Sequence, residues 1–431
     1  MCGREHIDAD QHCMAVTQPF PRIDGELWAA ESRVTDLVAE FGSPLYVYDA
    51  GVIEAAYRRI EAAFAGVDLL LAYSVKANSN LEILKRLRAL GAGADIVSQG
   101  ELHRCLAAGF SPSDVVFAGV GKTEVEMEAA LEVGILAFNV ESAEELQALG
   151  RVAERLGRTA PVALRVNPDI VADTPHEYTR TGDGASKFGI PVDRILDLYR
   201  WAADQPSLEV RGIDVHIGSQ ILDPEPYTRA LAQVLDLAAE VRAEGIDLDF
   251  VDLGGGFGVG YEGEDGLSVE GLAAIVVPRV AETGLRLILE PGRFIVGQAG
   301  ILVTKVLYVK HSGSKTFVVT DGGMTELIRP SHYQGFHRIE PVISREEAVR
   351  EVVDVVGPIC ETGDFLARDR VLQMPAQGDL LAVQTAGAYG FVMASNYNSR
   401  RRPAEVVVNG TEVTLARRRE TLDDLLRGEI P

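Results

Sequence analysis

Leu69-Leu70-Leu71-Ala72-Tyr73-Ser74-Val75-Lys76 is an apolar run of strand length that stops at a lysine, and the segments on its carboxyl side decide the fold. Leu81–Leu90 carries its apolar residues at helical spacing and stops at Gly91, as a helix stop should. A second strand-like run, Gly93–Ser98, comes next, so the unit reads strand, helix, strand. The same alternation continues through Asp114–Gly119, Leu136–Glu141, Pro161–Asn167, Gly212–Gly218, Asp249–Gly255 and Arg286–Gly292. Helices are predicted between them at Thr123–Val133, Ala143–Leu156, Asp193–Ala203 and Pro226–Ala243, with further glycine stops at Gly109, Gly134, Gly157 and Gly245.

Eight such units over about 225 residues match an α/β fold of the (β/α)8, TIM-like barrel type in number and length. An open doubly wound sheet with extra strands would give the same local pattern. Beyond Gly292 the texture changes to short strands without long helices: Ile301–Lys310, Thr316–Thr320, Glu351–Val356, Asp379–Gln384 and Glu405–Val408. This predicts a second, all-β domain. Glu26–Arg33 and Pro44–Tyr48 also read as strand, so the expected partition is a barrel over residues 50–300 and a β domain assembled from residues 1–49 and 301–431.

The chain has 431 residues, 47% hydrophobic and 24% charged, enough to bury a large core. Its 64 acidic against 41 basic residues leave a net charge of −23, which opposes nucleic acid and anionic membrane surfaces as partners. The short basic runs Arg400 to Arg402 and Arg417 to Arg419 read as solvated faces. Cys2, Cys13, Cys105 and Cys360 are widely spaced with no CxxC pair, which supports neither a disulfide framework nor a zinc site and fits a reducing cytoplasm. No apolar stretch reaches membrane-spanning length, and Met1 to Gln18 lacks the apolar segment of a secretory signal.

Barrel active sites lie at the carboxyl ends of the strands. There the sequence brings Lys76, His216, the run Gly254-Gly255-Gly256 and Glu290-Pro291-Gly292-Arg293 to one mouth. A lysine closing an apolar strand can have its pKa lowered by desolvation and act as a Schiff-base amine, although a lone lysine there more often snorkels to solvent. Adjacent glycines let backbone N–H groups approach a phosphate, Arg293 can pair with an anion, and Glu290 can bond a protonated ring nitrogen. His216 could lie against a flat ring, with Ser219 as a hydroxyl donor; taken singly, it is more often a structural hydrogen-bonder. No HxH or HxxxH pairing supports a metal. A phosphate, a pyridinium and an aldehyde that accepts an amine are the three handles of pyridoxal 5′-phosphate.

Six motifs taken in order resemble those of the fold-type III pyridoxal-phosphate decarboxylases, which have the alanine-racemase-like architecture. They are Tyr73-Ser74-Val75-Lys76-Ala77-Asn78, His216 to Gln220, Gly254 to Gly256, Glu290 to Arg293, Cys360-Glu361-Thr362-Gly363-Asp364 and Gly387-Ala388-Tyr389-Gly390. Within that group the chain is most similar to the branch that converts meso-diaminopimelate to L-lysine and CO2, the last step of lysine biosynthesis. The resemblance implies that Lys76 is joined to the cofactor, His216 stacks on its ring, Asp95 lies near the joined lysine and Glu290 holds the ring nitrogen protonated. It further implies that Ser219, Gly255, Gly256, Pro291, Gly292, Arg293 and Tyr389 surround the cofactor, chiefly its phosphate. Cys360 would be the catalytic proton donor. Arg329, Tyr333, Glu361 and Tyr389 would bind substrate, with Arg293 in the same pocket.

The family closes its site by homodimerisation, each mouth receiving the Cys360-Glu361 segment from the partner. The segments Tyr178 to Gly182 and Lys187 to Ile190 also fit the diaminopimelate branch, whereas Thr325-Glu326, His332 and Thr362 depart from it near the substrate end. A decarboxylase of another basic or carboxylated amino acid, of the ornithine or arginine type, and a non-catalytic relative that binds the cofactor are the alternatives.

Overall fold

Eight strands pair in parallel around a closed circle in the computed structural model: Leu69–Ser74 (β1), Gly93–Ile96 (β2), Val115–Phe117 (β3), Ala137–Val140 (β4), Ala160–Asn167 (β5), Leu208–Val215 (β6), Phe250–Asp252 (β7) and Arg286–Leu289 (β8). The structure describes residues 19–430 apart from 171–173, 175, 177–180, 183–185 and 346. Cys2, Cys13 and the Tyr178 to Arg180 part of the substrate-end segment lie outside the described residues. Closure is explicit in the ladders: Leu287 of β8 pairs with Leu69 of β1, and Phe138 of β4 with Val162 of β5. That excludes the open doubly wound sheet.

Most strands end earlier than the apolar runs do, because the last residues of each run leave the ladder to form the mouth. Lys76 accordingly sits on a single helical turn, Val75–Ala77, rather than on β1 itself. Helices form an outer layer, and their starts follow from capping chemistry. Thr123 lies one residue before Glu124–Val133, where its hydroxyl and the Glu126 carboxylate cap each other's backbone N–H groups. Directly after β8 comes the short helix Arg293–Val296; Ala50–Ala63, which precedes β1, packs between the helices Val269–Thr283 and Leu81–Leu90 and completes the ring.

Inside the barrel the two halves differ chemically. The lower half is packed by Leu70, Ala72, Val116, Ala137, Ala163, Phe250 and Ile288. The Phe250 ring presses against Gly212, where a Cβ would lie 2.3 Å from it. Further up, buried Ser74, Asp95, Asn139, Arg165, Asp214, Asp252 and Glu290 replace the hydrocarbon.

The β domain is built on Leu45–Asp49 and Gly300–Ser312, which pair antiparallel, while Leu45–Asp49 also pairs in parallel with Ala404–Asn409. The sheet continues through Lys315–Thr320, Arg350–Val356 and Phe365–Gln373 on one side and Glu412–Arg417 on the other. Period-two alternation sends Leu45 and Val47 into a small core with Leu27, Val34, Leu37, Ile301 and Val406, and turns Tyr46 and Tyr48 into the core continuous with the barrel. The domain is not purely β: Val34–Phe41 and Arg329–Tyr333 are helical.

The two basic runs are not simply solvated faces. Arg402 pairs with Glu420, Arg417 with buried Glu405, and Arg419 donates to the carbonyls of Phe41 and Pro44, so they staple the carboxyl-terminal segment to the sheet. Among the described residues no helix is long and apolar enough to cross a membrane.

Removing the plug of the lower barrel tests this packing. Phe250→Ala should lose about 3–5 kcal/mol, seen calorimetrically as a lowered unfolding temperature, whereas Val125→Ala on an exposed helix face should leave it unchanged.

Candidate active site

A cavity of about 270 Å3 opens at the carboxyl ends of the barrel strands, with the β domain as its roof. Its lining includes Lys76, His216, Ser219, Gly256, Glu290, Gly292, Arg293, Arg329, Tyr333 and Tyr389. Residues from both domains therefore share one chamber.

Two contacts fix the roof to the mouth. The Tyr389 backbone N–H donates to the Ala77 carbonyl at 2.8 Å, and the Asn78 amide donates to the Gly387 carbonyl at 2.9 Å. Ala77 and Asn78 directly follow Lys76, so the lysine and the roof are placed together.

Lys76 Nζ lies 2.8 Å from Asp95 Oδ2, which also accepts from Ser74 Oγ at 2.6 Å. Asp95 is wholly buried, while the lysine side chain keeps 35% exposure toward the cavity. Desolvation pulls the lysine pKa down, as its place after an apolar strand predicts, but Asp95, Glu290 and Tyr389 outweigh it and hold the amine above its ordinary value. The expected lowering is thus reversed: the apolar strand leads to the lysine, but carboxylates surround its head.

Beneath it Glu290 is buried with Asp252, Asp95 and Asp214 close by, so burial and then those three charges raise its pKa well above the carboxylate range. Asp252 is pushed up to about 6 by burial, against bonds from the Gly254 N–H and Asn139 that lower it. The Asn139 amide donates at 3.2 Å to both Asp252 and Glu290. Arg165, paired with Glu141 at 2.7 Å and 4.0 Å from Asp214, offsets part of this charge.

His216 accepts the Gly255 N–H on Nδ1 at 3.1 Å. Burial, then Arg165 and Lys76, lower its pKa well below the usual histidine value, so the ring is neutral with its proton on Nε2. The glycine run is required by close approach: a Cβ on Gly255 would sit 2.0 Å from the Glu290 carbonyl, and one on Gly256 2.1 Å from that of Gly218. Arg293 donates to Tyr261 Oη at 2.7 Å and Ser219 Oγ at 3.3 Å, and its guanidinium lies over the Tyr389 ring at 4.7 Å. Arg329, 8% exposed, lies over Tyr261 at 4.7 Å. Among the described residues neither arginine pairs with a carboxylate.

Cys360 and Glu361 are not brought to this cavity. They sit on an exposed loop, where the Cys360 N–H donates to Asn398 and the neighbouring Ile359 N–H to Asp364. Thr325 and Glu326 do not line it either; the Glu326 carboxylate turns back to Gly323 and Thr325 within the β domain. His332 stacks edge-on against Tyr333 at 4.5 Å.

Sequence reasoning missed Asn139, Arg165, Asp214, Asp252, Tyr261 and His337. The aspartates had a readable signal, a charged residue set into an apolar strand as in Phe250-Val251-Asp252-Leu253. Tyr261 and His337 lie in loops and carried none.

Pyridoxal phosphate suits this chamber on its own chemistry. Asp95 Oδ1, Asn139 Oδ1 and Arg293 Nε are buried without a hydrogen-bond partner among the described residues. Buried carboxylates on the floor call for a cationic ring nitrogen, Arg293 with its glycine wall for a phosphate, and Lys76 for an aldehyde.

Comparison with known proteins agrees. The family described as pyridoxal-dependent decarboxylase, pyridoxal binding domain, matches residues 50–297. The diaminopimelate decarboxylase of Pseudomonas aeruginosa is 50% identical over 410 residues, covering 95% of this chain and 98% of that protein. The crystal structure of the Helicobacter pylori diaminopimelate decarboxylase complexed with L-lysine is 41% identical with a TM-score of 0.88, covering 91% of this chain and 98% of that one. That of M. jannaschii, also with L-lysine, is 36% identical with a TM-score of 0.89, covering 95% and 97%. By identity along nearly its whole length, and by a chamber that fits the cofactor, the chain belongs to the diaminopimelate decarboxylases of the pyridoxal-dependent decarboxylase family.

Proposed function

We propose that this protein removes CO2 from meso-diaminopimelate to give L-lysine, the last step of lysine biosynthesis, with pyridoxal phosphate as its cofactor and a homodimer in the cytoplasm as its working form. The single observation that carries the substrate is Arg329: a buried guanidinium facing the chamber with no carboxylate of its own among the described residues. An unpaired buried charge is costly, and a ligand carboxylate would offset it. Ornithine and arginine have no second carboxylate; diaminopimelate does.

In this reading Lys76 is the covalent anchor, with Asp95 beside it accepting from its amine. His216, neutral and fixed by Gly255, covers one face of the ring. Ser219, Gly255, Gly256, Pro291, Gly292, Arg293 and Tyr389 hold the phosphate end, and Glu290 keeps the ring nitrogen protonated. When bound, the cofactor supplies an electron sink for the carbanion left by departing CO2. Tyr333 joins Arg329 at the distal carboxylate.

Cys360 would protonate that carbon and Glu361 would bind the distal amino group. Both stand on the surface of their own chain, so they serve the partner's chamber, which is what argues for the dimer. The unpaired thiols of Cys105 and Cys360 are in keeping with a reducing compartment.

A CO2-release assay comparing meso-diaminopimelate with ornithine, arginine and lysine tests the reaction; equal rates on ornithine and diaminopimelate would refute the role of Arg329. Borohydride treatment should fix a pyridoxyl mass on the peptide containing Lys76, and a label on any other lysine would overturn that assignment. Arg329→Ala should lose at least about 30-fold in kcat/KM on diaminopimelate, the loss of a charge-assisted bond worth roughly 2–5 kcal/mol, with cofactor loading unchanged.

Lys76→Ala and Cys360→Ala should each be nearly inactive. Unfolded and reassembled together, they should recover roughly a quarter of wild-type activity, since about half the dimers are mixed and each mixed dimer has one intact chamber of two. No recovery from mixed dimers shown to form would return Cys360 to its own chain.

A further inference from the structure

We propose that His337 is the positioning residue that aims Arg329 at the distal carboxylate of the substrate, an inference that rests on the role proposed for Arg329 in binding that group. The imidazole is fully buried, between Arg329 and the backbone of Gln384. Its Nε2 lies 2.7 Å from Arg329 Nη1, and its Nδ1 lies 2.9 Å from the Gln384 carbonyl oxygen. A guanidinium only donates and a carbonyl only accepts, so one arrangement satisfies both bonds. Nδ1 carries the hydrogen and donates to Gln384; Nε2 accepts from Arg329.

The ring must then be neutral. Desolvation and the charge of Arg329 keep its pKa well below the ordinary value, helped by Arg293 and Arg370 and opposed by the bond to Gln384.

The imidazole is itself held in place. Arg370 Nη1 donates to the His337 carbonyl at 3.0 Å, and the Gln384 side chain donates to Glu340 at 3.0 Å. The His337 ring stands edge-on to Tyr261 at 5.3 Å, and Arg329 lies over the face of that same tyrosine at 4.7 Å. Tyr261 thus fixes the plane of the guanidinium and His337 fixes its rotation within that plane. His337 takes one of the five N–H donors and leaves the charge untouched.

An aspartate or glutamate could orient Arg329 equally well but would neutralise it and compete with the substrate. A neutral acceptor orients the cation and leaves it available for the ligand. Side chains that bind a carboxylate through a fork depend on this preorganisation, because a misaligned guanidinium makes one bond where two are possible.

The test uses two ligands of the cofactor-loaded protein that differ at the relevant end. L-lysine retains the carboxylate that decarboxylation leaves behind; cadaverine lacks it. By titration calorimetry, His337→Leu should weaken L-lysine about 10-fold and cadaverine by less than about 3-fold, and KM for diaminopimelate should rise with kcat within about 3-fold.

His337→Gln offers a neutral amide oxygen toward Arg329 and should restore L-lysine to within about 3-fold of wild type. His337→Glu should bind L-lysine worse than the leucine variant, and it decides the matter if the leucine variant does not fold. Equal weakening of both ligands in the leucine variant would mean a structural role only and overturn the proposal, as would wild-type affinity for L-lysine. Arg329→Ala separates the two readings. If that variant keeps L-lysine affinity, the distal-carboxylate assignment fails and His337 falls with it; if it loses affinity while His337→Leu does not, His337 alone is refuted.

Discussion

Five buried carboxylates, Asp95, Glu141, Asp214, Asp252 and Glu290, face one lysine and one arginine at the top of the barrel, and the rest of the molecule is arranged around that imbalance. Charges cannot be gathered in a dry interior without compensation: an unpaired buried ion costs several kcal/mol. Part of the compensation lies toward protonation, since burial, the largest cause, raises the pKa values of Asp214 and Glu290 well above the carboxylate range. Part comes from Arg165 and Lys76. The remainder leaves an opening suited to a cationic ring nitrogen, so the property that burdens the fold is one that suits the cofactor. The hydrocarbon floor below, with Phe250 at its centre, carries the stability that lets the upper half be polar.

The second constraint is that the chamber needs the β domain. The barrel supplies the lysine, the carboxylates, the imidazole and the glycine wall with Arg293. The roof adds Arg329, Tyr333 and Tyr389 to the chamber lining, with His337 bonded behind Arg329. Tyr389 and Gly387 are bonded to the residues directly after Lys76, and Tyr46 and Tyr48 bury their rings in the core shared with the barrel. Tyr46 also donates to the Glu326 carbonyl at 2.7 Å, just ahead of Arg329 in the chain. The separation of Lys76 from Arg329 is therefore set by packing between domains, not by either domain alone.

Much of this was legible in the chain. Alternating apolar runs and helical periods located all eight strands, since βα units are local and their caps and stops are written in adjacent residues such as Thr123 and Gly157. The departures lie at strand ends: the run through Lys76 continues past the point where β1 stops, because apolar character marks burial and does not distinguish ladder from turn. The β domain was less legible. Phe365–Gln373 and Glu412–Arg417 escape a reading by apolar runs because strands on a half-exposed sheet interleave charged residues with apolar ones. The basic runs looked solvated because their partners, Glu405 and Glu420, are fixed only by the fold.

The sequence by itself determined the residue types at the barrel mouth, their order, and the family to which such an order belongs, because each motif is a short segment with its own chemistry. Tertiary structure alone decided the direction in which the Lys76 pKa moves, up rather than down, because a pKa depends on neighbours that arrive from other strands. It alone decided that Arg329 is oriented by His337 and backed by Tyr261, because that contact needs a loop after β7 and a loop of the β domain to meet over one guanidinium. A residue's identity is a local fact, but its field and its aim are sums over everything packed around it.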